Sequence, residues 1–291
     1  MAASNSTPLM SRVTLGRALR RLRDEVNHLT LAEVASSLSC DTSLISRIEL
    51  GKRTCSQTHF NKLMALYAVP DGERERLTEL HTATREQRQP WWAKYSEVIT
   101  AEYERFLGFE AAASNVFEYQ VGILPGLLQT EPYARAVIGA GFASLGPDQI
   151  DALVEVREMR QRQRLWESPD PLVCDYVVTQ AALKFQVGGY DAHREQLQYL
   201  LDLSEHRSVE LKVIPYEKGE EGAQIAAFRI FRFADDDVPD IAFGESVAGS
   251  LTLDDPRDLR RLHRLFNNLS GAALSPSESR DLIARIKNKE D

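Results

Sequence analysis

"LTLAEVASSLSCDTSLISRIELGKR", Leu29 to Arg53, decides the fold of the first part of this 291-residue chain. Thr30 followed by Glu33 is a capping box, in which each side chain satisfies the other's backbone amide at a helix start. Leu31, Val34, Ala35 and Leu38 then recur at helical spacing and predict one buried stripe on a short helix. Asp41 is placed to cap a second helix whose Ile45 and Ile48 face inward, and Gly51 closes it. Two short helices joined by a tight turn, the second opening on the small polar residues Thr42 and Ser43, form the pattern of a helix-turn-helix.

The flanking sequence extends this into a helical domain. In "TLGRALRRLRDEV" the residues Leu15, Ala18, Leu19, Leu22 and Val26 predict an amphipathic helix, with Thr14 as its N-cap and Asn27-His28 as its end. A further helix, capped by Ser56, carries Phe60, Leu63, Met64 and Tyr67 on one side. The opening "MAASNSTPLMSR" lacks the charged-then-apolar pattern of a secretory leader, and its Ser, Thr and Asn content predicts a disordered tail over residues 1–11. The domain is therefore expected over residues 12–70.

Formal net charge is −8, unevenly placed. Between Ser11 and Lys62 nine cations face five anions, a surplus of +4, which leaves −12 for the chain beyond Lys62. A basic module on an acidic body fits a protein whose one domain approaches a polyanion. The acidic remainder opposes loose, non-specific binding, so a good site, a dimer or both are expected to be needed. No apolar run approaches the ~20 residues of a membrane span. The three cysteines, Cys40, Cys55 and Cys174, form no CxxC and suit a reduced cytoplasm. They read as semi-buried small residues or, for Cys40 and Cys55, as a redox-sensing pair.

The segment from Arg12 to Val69 resembles the XRE (Cro and lambda-repressor type) DNA-binding domain, most specifically in Ala35, "ISRIE" and the trailing "GKR". The resemblance implies an ion pair between Glu49 and Arg23 that fixes the angle between helices. By position on the second helix, Thr42, Ser43, Leu44 and Arg47 are the candidate base readers, Arg47 being suited to bidentate contact with guanine. Leu44 either touches a thymine methyl or packs inside the domain. Lys52 and Arg53 leave the helix end toward phosphate, and the free amides at Thr30 and Leu31 offer a second phosphate site.

"DGERERLTELHTATREQRQPWW" predicts a charged helix, capped by Asp71, as a linker over residues 71–90. Trp91 and Trp92 then read as core anchors of the next domain or as part of a ligand pocket. Over residues 91–291 the runs "NVFEYQVGIL", "LVCDYVVT", "VELKVIPY" and "AQIAAFRIFRFA" predict strands, with shorter ones in "PDIAFGES" and "SLTLD". Helices are expected near Glu131–Gly141, Asp148–Trp166 and Asp191–His206, and two more close the chain, starting at Asp255-Pro256 and Ser275-Pro276. The fold class is thus multi-domain: an all-α helix-turn-helix domain followed by an α+β (mixed α/β) domain ending in two helices.

No GxSxG, HExxH, GxxxxGK[ST] or GxGxxG occurs, so the sequence gives no sign of an enzyme, a metal site or a cofactor. In "GILPGLLQTEPYARAVI" (Gly122–Ile138), Gln129 and Thr130 are polar in an apolar setting and join Trp91 and Trp92 as a candidate ligand or partner site. Together with "RQRQRLW", "AALKFQVGG", "QLQYLLDL" and "VELKVIPYEKG", this stretch resembles a domain of unknown function that follows XRE domains in many actinobacterial regulators. The resemblance departs at Thr179-Gln180, where the family more often has an acidic residue, and no ligand role is carried to that turn. It implies antitoxin-like regulators, often encoded beside a small partner protein. The expected protein is a cytoplasmic transcriptional regulator that binds operator DNA as a homodimer, its body sensing a small-molecule effector or binding a partner. The alternative is an antitoxin-like interaction protein whose DNA binding is autoregulatory.

Overall fold

The computed structural model describes residues 8–85, 90–141, 145–222, 226–235, 238–246 and 249–289, with backbone only for 245, 246, 249 and 250. The chain divides into two units, one of residues 1–93 and 103–112, the other of 94–102 and 113–291.

The first unit is all-helical. Helices α1 (Pro8–Arg21), α2 (Leu31–Leu38), α3 (Thr42–Glu49), α4 (Gln57–Leu66) and α5 (Asp71–Ala83) enclose a core of Leu15, Leu19, Leu22, Val34, Ile45, Ile48, Phe60, Leu63 and Leu77, among others. Helix α1 begins earlier than the expected tail allows. Pro8 is preset for a first helical turn, and Met10 and Val13 extend the buried stripe, so Thr14 is a buried mid-helix residue and not a cap. Residues 1–7 of the expected tail lie outside the described residues, as do 86–89 of the expected linker. After Arg21 the chain widens into a π turn, Leu22–Val26, closed by the Asn27 amide on the Leu22 carbonyl at 3.0 Å. The extra residue in that turn rotates Val26 out of the stripe, and it is 53% exposed. His28, at φ 52°, turns the chain into α2.

Helix α5 is part of this unit's core, not a free linker. Pro70, not Asp71, is its N-cap, and Leu77 and His81 are buried on its inner side. Helix α6 (Ala101–Ala112) contributes residues 103–112, where an added Cβ on Gly108 would stand 2.4 Å from Leu9 Cδ2. Trp91 and the buried Trp92 also belong to the first unit, so they do not anchor the second domain as expected.

The second unit is built on a six-stranded mixed sheet of order β3-β2-β1-β4-β5-β6. Its strands are β1 (Asn115–Gln120), β2 (Val173–Thr179), β3 (Val209–Ile214), β4 (Phe228–Arg232), β5 (Ile241–Ser246) and β6 (Gly249–Leu253). β1, β2 and β3 run parallel, with Asn115 opposite Val173 and Cys174 opposite Val209; the remaining pairs are antiparallel. Residues 223–225 of the expected fourth strand run lie outside the described residues. Helices α7 (Glu131–Gly139) and α8 (Pro147–Gln161) connect β1 to β2, and α9 (Gln180–Lys184) and α10 (Tyr190–Leu203) connect β2 to β3. Such crossovers are what parallel neighbours require.

Two helices end the unit, α11 (Pro256–Ala272) and α12 (Pro276–Asn288). Leu259, Phe266 and Leu269 of α11 pack on Tyr119, Val177, Ile214, Phe228 and Ile230 of the sheet. The connection between the two helices and the first turn of α12 cover the free edge of β3 at Val213, which donates to Ser279 Oγ at 3.0 Å and accepts from the Leu274 amide at 2.9 Å. Strand pairing is blocked at that residue of the edge.

Candidate nucleic-acid interface

The Thr30–Glu33 capping box is formed: Thr30 N donates to Glu33 Oε2 at 2.7 Å, and Glu33 N to Thr30 Oγ1 at 3.2 Å. It occupies the Thr30 amide, leaving the first-turn amides of Leu31 and Ala32 without an intrahelical acceptor. Hydrogen bonds from the Thr30 backbone and hydroxyl hold the Glu33 carboxyl below its ordinary range, so a negative charge sits at this helix start. That charge discounts Thr30 and Leu31 as a phosphate site relative to the sequence reading.

The turn from α2 to α3 is tight because Ser39 adopts the left-handed conformation, φ 56°, and the Cys40 amide returns to the Ala35 carbonyl at 3.0 Å. Asp41 takes the N-cap backbone position of α3 but makes no side-chain cap hydrogen bond. Thr42, Ser43 and Arg47 are exposed, whereas Leu44 is half-buried and packs against the domain core. Of the two alternatives for Leu44, packing is therefore the one with a visible partner. Arg47 folds along its own helix, Nε donating to the Ser43 carbonyl at 3.1 Å and Nη2 to Ser43 Oγ at 3.3 Å. The guanidinium and the Ser43 hydroxyl are thus gathered on one exposed face. After Gly51, at φ 64°, the amides of Lys52 and Arg53 both return to the Arg47 carbonyl, at 2.9 and 3.1 Å. Both cations therefore leave the helix end exposed.

What holds this face is buried. Arg23 Nε donates to Glu49 Oε1 at 2.7 Å and Nη2 to Glu49 Oε2 at 3.0 Å, a bidentate pair whose side chains are 9% and 6% exposed. A third donor, Nη1, reaches the Leu29 carbonyl at 2.9 Å. The hydrogen bond to Glu49, above all, holds the Arg23 guanidinium pKa above its ordinary value. Gly16 is a position sequence reasoning missed. A Cβ there would stand 2.5 Å from the carbonyl oxygens of both Ile48 and Glu49, so α1 and the end of α3 approach backbone to backbone. The available signal was a lone glycine inside a strong helical stripe, which costs about 1 kcal/mol against Ala and marks close approach. Arg105, also missed, donates from Nη2 to the Leu50 carbonyl at 3.3 Å.

The other sequence-picked sites separate. Trp91 and Trp92 lie in the first unit, edge-to-face at 5.4 Å, and Gln129 and Thr130 lie in the second, so neither unit holds the four together. Gln129 is buried in internal bonds: its Nε2 donates to the Leu124 carbonyl at 2.7 Å, and its Oε1 accepts from Arg157. The Thr130 amide donates to Gln196 Oε1, also at 2.7 Å. The Gln129 side chain and the Thr130 amide hold the Pro125-Gly126 turn against α8 and α10, a packing role that explains the polarity of Gln129, whereas the buried Thr130 hydroxyl has no hydrogen-bond partner among the described residues. Burial pushes the Cys55 thiol up to about 12 and raises that of Cys40 as well, the opposite of the activated thiolate a redox sensor needs. Among the described residues no group of three or more His, Cys, Asp or Glu side chains is arranged to hold a metal ion, and no helix is long and apolar enough to cross a membrane.

Comparison with known families places two matches on this architecture. Residues 14–77 match a helix-turn-helix domain, which suggests a DNA-binding regulator. Residues 103–285 match a domain of unknown function, DUF5753. No curated protein and no solved structure gives a match. Because the second match spans more than half of its length, the chain belongs to the DUF5753 family, and it carries a helix-turn-helix domain ahead of that region.

Proposed function

We propose that the chain is a sequence-specific transcriptional regulator of the XRE type, acting in the cytoplasm and binding an operator as a homodimer. The observation that carries this reading is the exposed face of α3. It presents Thr42, Ser43 and Arg47 outward while Ile45, Ile48 and Glu49 fix the helix from behind. Arg47, released from Ser43, is the base reader, worth about 1–3 kcal/mol of discrimination at one guanine. Lys52 and Arg53 grip phosphate without reading sequence. One such domain covers one half-site, and two half-sites about one helical turn apart call for a dimer. Genome-wide mapping of bound DNA gives the half-site and its spacing. On that site Arg47→Ala removes sequence preference, whereas Lys52→Ala weakens all duplexes alike and lowers the salt slope by about 1. Equal operator affinity for wild type and Arg47→Ala overturns the assignment.

A second reading, an antitoxin-like role for the body, has its own support. Phe185, Tyr190 and Tyr216 are 58%, 44% and 55% exposed, and the Lys184 ammonium lies 5.9 Å from the Tyr216 ring centre. Exposed aromatics of this kind fit a small partner protein or an effector. Pull-down from cells carrying the neighbouring gene, with Phe185→Ser as control, tests it; a body that stays alone refutes it.

A further inference from the structure

The second unit is strongly acidic, with 21 cations against 31 anions, a net charge of −10. Its α11 is the exception. Arg257, Arg260, Arg261 and Arg264 oppose one anion, Asp258. They recur at i, i+3, i+4 and i+7, which gathers them within about 100° of the helix circumference. The opposite side carries Leu259, Phe266 and Leu269, locked onto the sheet, so the arginine stripe faces outward. All four arginines are exposed. Arg261 has a single loose ion pair, 3.8 Å from Asp258, and among the described residues Arg257, Arg260 and Arg264 have none. Four like charges on one face, three of them without an ion pair among the described residues, repel one another.

We infer that this face of α11 binds the phosphate backbone of a nucleic acid, a second contact separate from α3. Three features favour that partner over an acidic protein. The stripe runs about 10.5 Å along the helix, and one DNA strand presents a phosphate every ~3.4 Å of axis, so four successive phosphates cover a similar length. All four cations are arginine, whose planar fork pairs with phosphate bidentately. Protein interfaces form around a desolvated apolar centre, yet none of the large exposed hydrophobics among the described residues lies on α11. The stripe is flanked by the exposed Asn267 and Asn268, polar groups suited to phosphate and sugar oxygens. It reads no bases, because nothing on it is held for a groove.

This inference rests on the DNA-binding reading only for the choice of polyanion, and salt dependence separates the two. Binding of the full chain to a labelled random-sequence duplex is followed by fluorescence anisotropy across a salt series. Arg260→Gln/Arg264→Gln is expected to lower the slope of log affinity against log salt by about 1.8, two contacts at ~0.9 each. Arg260→Lys/Arg264→Lys keeps the charges and the slope. A parallel variant, Lys52→Ala/Arg53→Ala, reports on the helix-turn-helix. If only that second variant loses slope, the stripe is refuted and the α3 reading stands. If only the glutamine pair does, the stripe stands without it. A wild-type chain that binds no duplex at any salt sinks both. Loss of an acidic protein partner from the glutamine pair, with DNA binding unchanged, reassigns α11 and also overturns the proposal.

Discussion

Glu49→Ala tests what holds the recognition face in place. The substitution removes both Glu49 acceptors of the Arg23 guanidinium, at 2.7 and 3.0 Å, and leaves it one hydrogen-bond acceptor, the Leu29 carbonyl, with the Asp24 carboxylate 3.7 Å from Nη1. With the two side chains 9% and 6% exposed, the pair is shielded from bulk water in the folded domain. Breaking one side of a buried pair costs about 3–5 kcal/mol, and the loose, exposed Asp24 carboxylate recovers a little of it, so the low end of that range is expected. Replacing both members, as in Arg23→Met/Glu49→Leu, removes two desolvation costs with one attraction and is expected to restore most of that loss. The chain has two units, so a global melt mixes two transitions. Native-state hydrogen exchange at the α3 amides of Ile45, Ile48 and Glu49 reports the first unit alone. The single variant should exchange about 10²–10⁴-fold faster there. The double variant should exchange near the wild-type rate yet bind operator less tightly, its α1–α3 angle no longer fixed by a directional pair. A single variant within a factor of about five of wild type would refute the reasoning.

Gly16→Ala should cost about 1–3 kcal/mol through overpacking, since its methyl meets the backbone oxygens of Ile48 and Glu49 at 2.5 Å; a denaturant midpoint equal to wild type would contradict that contact. His81 is buried, stacked 4.3 Å from Phe60, and its Nε2 lies 2.8 Å from the Cys55 carbonyl, so it carries the proton on Nε2. Desolvation, with help from Arg85, lowers its pKa against the opposing hydrogen bond to Cys55. A depressed folded-state pKa gives stability that is present above the unfolded value, about 6.5, and lost as pH falls through the folded one. The first unit should therefore weaken on mild acidification, and His81→Gln should flatten that slope in exchange measurements at pH 7 and pH 5.

How much of this was legible in the sequence follows the range of each interaction. The Thr30–Glu33 box, the Ser56 cap of α4 and the α2–α3 stripe depend on residues within one or two turns, and periodicity finds them. The early start of α1, the core role of α5 and the return of residues 103–112 depend on Leu9, Leu77 and Gly108 meeting residues far along the chain. No local pattern encodes those meetings. Val26 was lost to one extra residue in a π turn, which shifts every later side chain by about a hundred degrees. In the second unit the strands were visible, but not the order that sets β1 between β2 and β4. Gln129 and Thr130 illustrate the harder case. Their polarity stands out in an apolar run, yet the partner of the Gln129 side chain is Arg157, 28 residues away, and that of the Thr130 amide is Gln196, 66 residues away.

Charge binds these observations together. With α5 and residues 103–112 included, the first unit carries 14 cations against 12 anions, so its net charge is only +2. A whole-molecule field cannot therefore draw this chain to DNA. At physiological ionic strength fields decay over about 8 Å, so the charges within that range of a phosphate decide the encounter, not the sum over the chain. Near α3 those are Arg47, Lys52 and Arg53, with Asp41 exposed at the same helix start. Three cations opposed by one anion make a weak non-specific grip by the standard of ~0.9 salt-slope units per phosphate. A grip that weak leaves base contacts, a second protomer and the α11 stripe to supply the remainder under the proposed function. Adding a cation near α3, as in Asp41→Lys, should raise affinity for random duplex more than for operator. If the two rise by the same factor, the local charge balance at α3 plays no part in discrimination.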